Sequence, residues 1–246
     1  MGMGASVMSE RKSVCVVWDL DDTLYQRSVP FEEANQVFKD YYQRPEMIYP
    51  TYDCFKHYSN LTFDKNELGL YESIEDMWIE RITLTMGDFD IRLSESEALF
   101  WQKSYSAAQK QMRLSQEIIA CLNYLKEQVI IGGIITNGAN EQQYQKIQAL
   151  NLSRWFSKEQ IVISGALGIA KPDSRIFEYF EELQKESFHF WYIGDSYVND
   201  IEGAKKVGWR TIWLQADNAE KKDNMSDYTV KNASELLDVL VKIIEE

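Results

Sequence analysis

The stretch Cys15–Thr23 reads Cys-Val-Val-Trp-Asp-Leu-Asp-Asp-Thr, an apolar run that ends in three carboxylates. Side chains two residues apart in a strand point to the same side, so we expect Asp19 and Asp21 to face one spot, with Asp22 turned away. Paired carboxylates at the end of a buried strand suit a hard cation and a nucleophilic reaction. The alternative is a chance occurrence, because Asp-x-Asp-x-Thr is a short motif. The remaining sequence must distinguish a functional motif from a chance occurrence.

The composition and charge of the chain restrict its class and its partners. Hydrophobic residues make up 45% of the 246 residues, enough for one large domain or for a core domain with an insert. The formal net charge of -13 repels nucleic-acid backbones and anionic membranes, so we expect no nucleic acid and no membrane as partners. The three cysteines are widely spaced, and no leader pattern or apolar run of membrane-spanning length is present. We therefore expect a cytoplasmic protein.

Short apolar segments alternate with segments of helical periodicity from Leu114 onward. This alternation predicts an α/β fold with a Rossmann-like parallel sheet and helices on both faces. The nearly continuous apolar character of the strands agrees with such a sheet, because both of its faces are buried. The strands predicted in this region are 129–135, 161–164, 190–193 and 211–214.

Residues 26–112 combine helical periodicity with many aromatic side chains and contain no convincing buried strand. We interpret them as a helical domain inserted after the first strand, so that 13–25 and 113–246 form the α/β core domain. In one interpretation the aromatic side chains bury a helical core, and in another they stack on a nucleobase or cover a sugar.

Three polar clusters follow predicted strands or loops of the α/β core. Thr136-Asn137-Gly138 follows the strand at 129–135, Lys171 follows a glycine-bearing loop, and Gly194-Asp195-Ser196 with Asp200 follows the strand at 190–193. The carboxyl ends of parallel strands converge on one crevice of the sheet. Six residues that are distant in the sequence are therefore expected to meet there: Asp19, Asp21, Thr136, Lys171, Asp195 and Asp200.

These clusters, in this order, resemble the four motifs of the haloacid dehalogenase superfamily of phosphohydrolases. The match comprises Asp-Leu-Asp-Asp-Thr at 19–23, Thr136, Lys171 and Gly-Asp-Ser-x-x-Asn-Asp at 194–200, and it spans nearly the whole chain. The helical insert looks like the first type of cap domain of that superfamily. The segments Asp-Leu-Asp-Asp-Thr-Leu-Tyr and Ile-Thr-Asn-Gly look most like its nucleotidase and sugar-phosphatase branches.

The resemblance implies which residues carry the chemistry. Asp19 would be the nucleophile that forms an aspartyl-phosphate, and Asp21 would act as general acid and base. Thr136 would donate a hydrogen bond to a phosphate oxygen, and Lys171 would neutralise charge on Asp19 and on the transferring phosphoryl group. The dehalogenase branch needs no carboxylate at the position of Asp21, so its presence argues for phosphoryl transfer.

The resemblance also implies a magnesium ion. Its ligands would be Asp19, the backbone carbonyl of Asp21 and Asp195, while Asp200 would hold its outer shell. The need for a cation can be argued without the family. A carboxylate and a phosphate about 5 Å apart repel by roughly 3 kcal/mol at an effective dielectric constant near 20. A divalent cation reverses the sign of this interaction, and Mg²⁺ prefers carboxylate and phosphate oxygens.

Several candidate residues also have simpler explanations. We assign Asn137 to phosphate binding together with Thr136 and Lys171, but it could instead only shape a turn. Lys171 alone could be an ordinary surface lysine, and Asp195 or Asp200 could cap the following helix. In the insert, the cations that could reach a substrate are Arg44, Arg81 and Arg92, and we assign none of them to the site because exposed arginines are common.

The sequence thus predicts a Mg²⁺-dependent phosphatase for a small phosphorylated metabolite, either a nucleoside monophosphate or a sugar phosphate. One alternative is a phosphomutase, which would return the phosphoryl group to a sugar. Another is a non-catalytic binding module on the same fold. The sequence leaves both a monomer and a homodimer open.

Overall fold

A computed structural model of the chain describes residues 13–43, 48–128, 130–184, 188–215 and 225–245. The chain divides into two compact units. The first unit contains the chain up to Leu24, Leu114–Asn140 and the chain from Leu152 onward, and the second contains Tyr25–Arg113 and Glu141–Asn151. The second unit therefore includes a segment that the sequence analysis assigned to the α/β core.

The first unit is built on a six-stranded sheet in which every neighbouring pair of strands is parallel. The strand order is β3-β2-β1-β4-β5-β6, the order of a doubly wound α/β fold. The predicted fold class is thereby confirmed. The strands are β1 (Ser13–Trp18), β2 (Ile131–Thr136), β3 (Ile161–Ile163), β4 (Phe188–Gly194), β5 (Arg210–Leu214) and β6 (Tyr228–Val230).

Strand β1 lies inside the sheet, between β2 and β4, and both of its faces are covered. Cys15 and Val17 belong to the hydrophobic core on one face, whereas Val16 and Trp18, on the opposite face, are equally inaccessible to solvent. An uninterrupted apolar run is therefore required here, and from Val14 no polar side chain appears until Asp19, directly after the strand.

Helices of the first unit alternate with its strands as the sequence pattern predicts. The strands differ in detail from those predicted. Val129 lies outside the described residues, and β6 is not among the predicted strands because its Tyr-Thr-Val is not a continuous apolar run like that of the equally short β3, Ile-Val-Ile. The helices of this unit are α5 (Gln116–Glu127), α7 (Ser164–Leu167), α8 (Ser174–Glu182), a π-helical turn (Tyr197–Glu202), α9 (Gly203–Lys206) and α10 (Ala233–Glu245).

The second unit is helical and has its own core. Its aromatic side chains pack together, as Phe31 does against Phe55 and Trp101, with ring centroids 5.0 and 5.7 Å away. Most of the aromatic residues of the insert thus serve the helical core, the first of the two interpretations above. Its helices are α1 (Ser28–Tyr42), α2 (Tyr52–Glu67), α3 (Ile74–Gly87), α4 (Glu95–Gln109) and α6 (Asn140–Ala149).

Local sequence explains where two of these helices begin. Ser73 before α3 and Ser94 before α4 each form a capping box, with Asp76 and Glu97 as the reciprocal acidic partners. Among the described helices, none combines the length and the apolar character needed to cross a membrane.

Candidate active site

The acidic residues predicted to converge do so at the carboxyl ends of β1 and β4. Asp19 follows the last residue of β1, and its backbone N–H donates to the carbonyl oxygen of Ile193 in β4, 2.8 Å away. Asp195 follows β4 directly, and Asp200 lies in the π-helical turn after it. These three residues present carboxylate oxygens that all lie within 4.8 Å of one another.

Lys171 brings a buried positive charge into this group. Its Nζ donates to Asp19 Oδ1 and to Asp200 Oδ1, each 2.6 Å away. All three side chains are buried, which excludes the interpretation of Lys171 as a surface lysine. The loop that carries Lys171 lies between α7 and α8, so only the tertiary structure brings it to Asp19, 152 residues earlier in the chain.

The pKa values of these groups are set first by burial and then by the neighbouring charges. Burial raises the pKa of Asp19 to about 7, because Lys171 compensates only in part and Asp200 adds repulsion. The pKa of Asp200 is raised for the same primary reason, with Asp195 as the repelling neighbour. Burial opposes the charge of Lys171, but the two carboxylates outweigh it and raise the pKa of the ammonium.

This charge balance fits a divalent cation. Asp19, Asp195 and Asp200 together carry three negative charges when ionised, and Lys171 supplies one positive charge, so two negative charges are left. The donor set consists of carboxylate oxygens, which are the ligands that Mg²⁺ prefers. These three residues are therefore the candidates to hold a magnesium ion.

The side chain of Asn137 is clamped to the backbone of Lys171. Asn137 Nδ2 donates to the Lys171 carbonyl oxygen at 2.9 Å, and the Lys171 N–H donates to Asn137 Oδ1 at 2.8 Å. The Asn137 amide therefore fixes the position of the Lys171 backbone, from which the lysine side chain extends. This contact favours a positioning role for Asn137, while its assignment to phosphate binding stays a prediction.

Thr136 is the last residue of β2, and it is fully buried at the same edge of the sheet. The loop after it is held by Ser164, whose Oγ accepts from the Gly138 N–H at 2.9 Å, and by the Gly165 N–H, which donates to the Gly138 carbonyl at 3.1 Å. A side chain at Gly165 would come within 2.6 Å of that carbonyl oxygen, so only glycine allows this approach.

Asp21 and Asp22 lie in the turn that follows Asp19. Asp22 has a positive φ of 62°, a left-handed conformation that aspartate tolerates in turns. Asp21 is near enough to raise the pKa of Asp19, although its carboxylate is not one of the three that form the described acidic group. The metal contact predicted for Asp21 involves its backbone carbonyl and stays a prediction.

Three residues at this site were not singled out from the sequence. Tyr192 in β4 accepts from Lys171 Nζ at 2.8 Å and donates to the Ile135 carbonyl at 2.7 Å, and Thr23 Oγ1 donates to Asp19 Oδ2 at 3.3 Å. Gly194 leaves room for Asp200, because a Cβ there would lie 2.3 Å from Asp200 Oδ2. Nothing in the sequence separates Tyr192 from the other aromatic residues of its strand, whereas Thr23 and Gly194 lie inside the quoted motifs.

Comparisons with known proteins agree with this geometry. Residues 16–214 match the family model of haloacid dehalogenase-like hydrolases. A glyceraldehyde 3-phosphate phosphatase from Methanopyrus kandleri is 26% identical over 94% of this chain and 98% of its own. The pyrimidine 5'-nucleotidase YjjG from Escherichia coli is 32% identical over 50% of this chain and 55% of its own.

A solved structure shows the same fold. The HAD-hydrolase YfnB from Bacillus subtilis, determined bound to magnesium, has a TM-score of 0.70 and 21% sequence identity to this chain. The match covers 94% of this chain and all of that one (100%). The motifs, the order of the strands and the family match lead to one conclusion: this chain belongs to the haloacid dehalogenase-like hydrolase family.

Proposed function

We propose that this protein is a Mg²⁺-dependent phosphatase that hydrolyses a small phosphorylated metabolite through an aspartyl-phosphate on Asp19. The observation that carries the proposal is the buried carboxylate of Asp19, held by Lys171 beside Asp195 and Asp200. A carboxylate that is fixed in place and backed by a cation is suited to attack an anionic phosphorus.

The reaction would proceed in two displacements at phosphorus. In the first, a carboxylate oxygen of Asp19 forms a bond to phosphorus while the bond to the ester oxygen breaks, and Asp21 gives its proton to the departing alkoxide. In the second, Asp21 takes a proton from water, the water oxygen attacks phosphorus, and the bond to Asp19 breaks. Lys171 offsets negative charge near Asp19 in both displacements, and Thr136 donates to a phosphate oxygen.

Asp19, Asp195 and the Asp21 carbonyl would hold the magnesium ion directly, and Asp200 would hold its outer shell. When bound, the ion would supply charge neutralisation between the nucleophile and the phosphoryl group. The names of the relatives support a small phosphate ester as substrate, since one is a glyceraldehyde 3-phosphate phosphatase and the other a pyrimidine 5'-nucleotidase. A sugar phosphate and a nucleoside monophosphate are therefore the first substrates to test.

A panel of phosphorylated metabolites, scored by released inorganic phosphate in the presence of Mg²⁺, tests this function. We expect phosphate release from at least one sugar phosphate or nucleoside monophosphate. Conversion of a sugar phosphate into an isomer without phosphate release would select the phosphomutase. Absence of turnover across the panel would select the binding module instead.

Removal of divalent cations should abolish this activity and leave the fold intact. The excess negative charge of the three carboxylates explains the expected dependence, because an incoming phosphate would add to it. The measurement is phosphate release in excess chelator and after added Mg²⁺, with circular dichroism as the control for folding. A rate unchanged by the chelator would contradict the metal requirement.

Asp21→Ala should slow turnover by about 10² or more, the usual effect of losing acid–base catalysis. We expect a larger loss with an alkyl phosphate than with 4-nitrophenyl phosphate, because a nitrophenolate leaves without needing a proton. The measurement is the rate for both substrates with the wild type and the variant. Equal rates for the two proteins would assign the proton transfer to another residue.

Tyr192→Phe tests the hydrogen bond that connects Lys171 to the backbone of β2. We expect a loss of about 1–2 kcal/mol in the free energy of unfolding and roughly tenfold in kcat, since Lys171 loses an acceptor and the Ile135 carbonyl a donor. Tyr228→Phe in β6 is the matched control and should change neither quantity. A wild-type kcat in Tyr192→Phe would show that this hydrogen bond has no bearing on turnover.

A further inference from the structure

Arg81 of α3 is a cation inside the helical unit that the proposed reaction does not use. Its guanidinium lies over the ring of Phe55, with Cζ 5.1 Å from the ring centroid, and its Nη2 donates to Gln102 Oε1 at 2.6 Å. Its Nε is buried and has no hydrogen-bond partner among the residues that the structure describes. Taken over the whole residue, backbone included, Arg81 is half-buried.

No carboxylate of the described residues forms an ion pair with Arg81. The contrast with its neighbour in sequence is informative, because Glu80 pairs with Lys65 at 2.5 Å. Burial lowers the pKa of Arg81 to about 10, and Arg27 acts in the same direction, while Tyr105 opposes it. Two guanidinium groups thus influence each other here, and the described structure supplies no anion to balance Arg81.

A buried donor without an acceptor and a cation without a counter-ion call for a common explanation. The aromatic ring of Phe55 stabilises the charge only in part. A guanidinium is always charged, and its planar donors fit the oxygens of a carboxylate or a phosphoryl group. An anion at this position would balance the charge and could accept from Nε.

From these observations we propose that Arg81 is the centre of an anion-binding site within the helical unit, which takes the carboxylate or phosphoryl group of a small organic molecule. Phe55 and Gln102 hold the guanidinium in place, through the ring contact and the hydrogen bond. The anion is a ligand of the helical unit itself, separate from the phosphatase substrate.

The direct test observes the Nε–H of Arg81 by ¹H–¹⁵N NMR of the whole chain. The signal is identified by its absence from the spectrum of Arg81→Lys, and a buried N–H exchanges slowly enough with water to be seen. Titration with sodium malonate, and separately with inorganic phosphate, is performed at constant ionic strength. We expect the Arg81 signal to shift with saturation and that of exposed Arg92 to stay unchanged. An Arg81 signal that neither anion moves would overturn the proposal.

Kinetics test whether this ligand is separate from the phosphatase substrate. 3-Phosphoglycerate and glycerol 3-phosphate differ in one group, a carboxylate against a hydroxymethyl. We expect Arg81→Gln to leave the KM values of both substrates unchanged, while the NMR titration of the wild type saturates. A KM that rises about tenfold for 3-phosphoglycerate alone would overturn the assignment of a separate ligand.

Control variants distinguish a loss of the anion site from a loss of folding or of the proposed activity. Arg92→Gln, which removes an exposed arginine from the same unit, should leave both KM values unchanged. An equal loss of kcat for both substrates in Arg81→Gln, together with an unmoved NMR signal, would show a purely structural role. The titration needs no turnover, so it tests the proposed anion site independently of the proposed phosphatase activity.

Discussion

Asp19→Asn is expected to abolish phosphate release, with a loss of about 10⁴-fold or more in kcat. Asparagine has nearly the same shape as aspartate, so Lys171 and Thr23 keep a neighbour at this position, but its amide is not a nucleophile toward a phosphate ester. The measurement is phosphate release with the best substrate of the panel, together with the intact mass of the protein after a rapid quench. The wild type should show a phosphorylated chain, and the variant should not.

Asp22→Asn is the matched control for this variant. Asp22 lies three residues after Asp19 in the same turn, carries the same charge, and has a left-handed backbone that asparagine also tolerates. We expect its kcat to stay within a few-fold of the wild type. Full activity in Asp19→Asn would remove Asp19 as the nucleophile, whatever Asp22→Asn does.

Lys171→Met should have the second large effect, on stability as well as on activity. The variant leaves Asp19 and Asp200 buried without the ammonium that both contact at 2.6 Å. Breaking a buried ion pair on one side costs about 3–5 kcal/mol, and we expect a loss of this size in the free energy of unfolding without metal. Turnover should fall by roughly 10³-fold, because in the proposed reaction Lys171 would also offset charge at the phosphoryl group.

The response to Mg²⁺ makes this prediction specific. Lys171 and a divalent cation would neutralise the same carboxylates, so Mg²⁺ should raise the melting temperature of Lys171→Met more than that of the wild type. Lys205→Met is the control, since it removes one partner of the ion pair with Asp227 nearer the surface, for which we expect about 1 kcal/mol or less and no special response to Mg²⁺. Equal shifts with Mg²⁺ in the wild type and Lys171→Met would show that the cation binds elsewhere.

Much of the fold is determined by local sequence. The apolar run before Asp19 predicts a buried strand, and β1 lies inside the sheet with both faces covered. The alternation after Leu114 predicts a parallel sheet because strands and helices have different periods, and these periods are properties of the backbone. Strand β6 was not predicted, since its Tyr-Thr-Val lacks the continuous apolar character of the equally short β3, Ile-Val-Ile.

The candidate site could be predicted only as a set of residues. Aspartates after β1 and β4 had to converge, because the carboxyl ends of parallel strands share one edge of the sheet. The pairing of Lys171 with Asp19 is implied by the family resemblance, but the other contacts of Lys171 could not be predicted. The hydrogen bonds between Asn137 and the Lys171 backbone depend on the geometry of two loops. The hydrogen bond between Lys171 and Tyr192 depends on which way a side chain of the strand points.

By itself, the sequence determined the class of fold, the order of its motifs and the family to which they belong, because these follow from local periodicity and from residue types at strand ends. Only the tertiary structure decided which charges are paired. Lys171 is balanced by two carboxylates from distant segments, whereas Arg81 has no such partner among the described residues. The reason is physical: the free energy of a buried charge depends on neighbours within a few ångströms, and folding selects those neighbours from the whole chain.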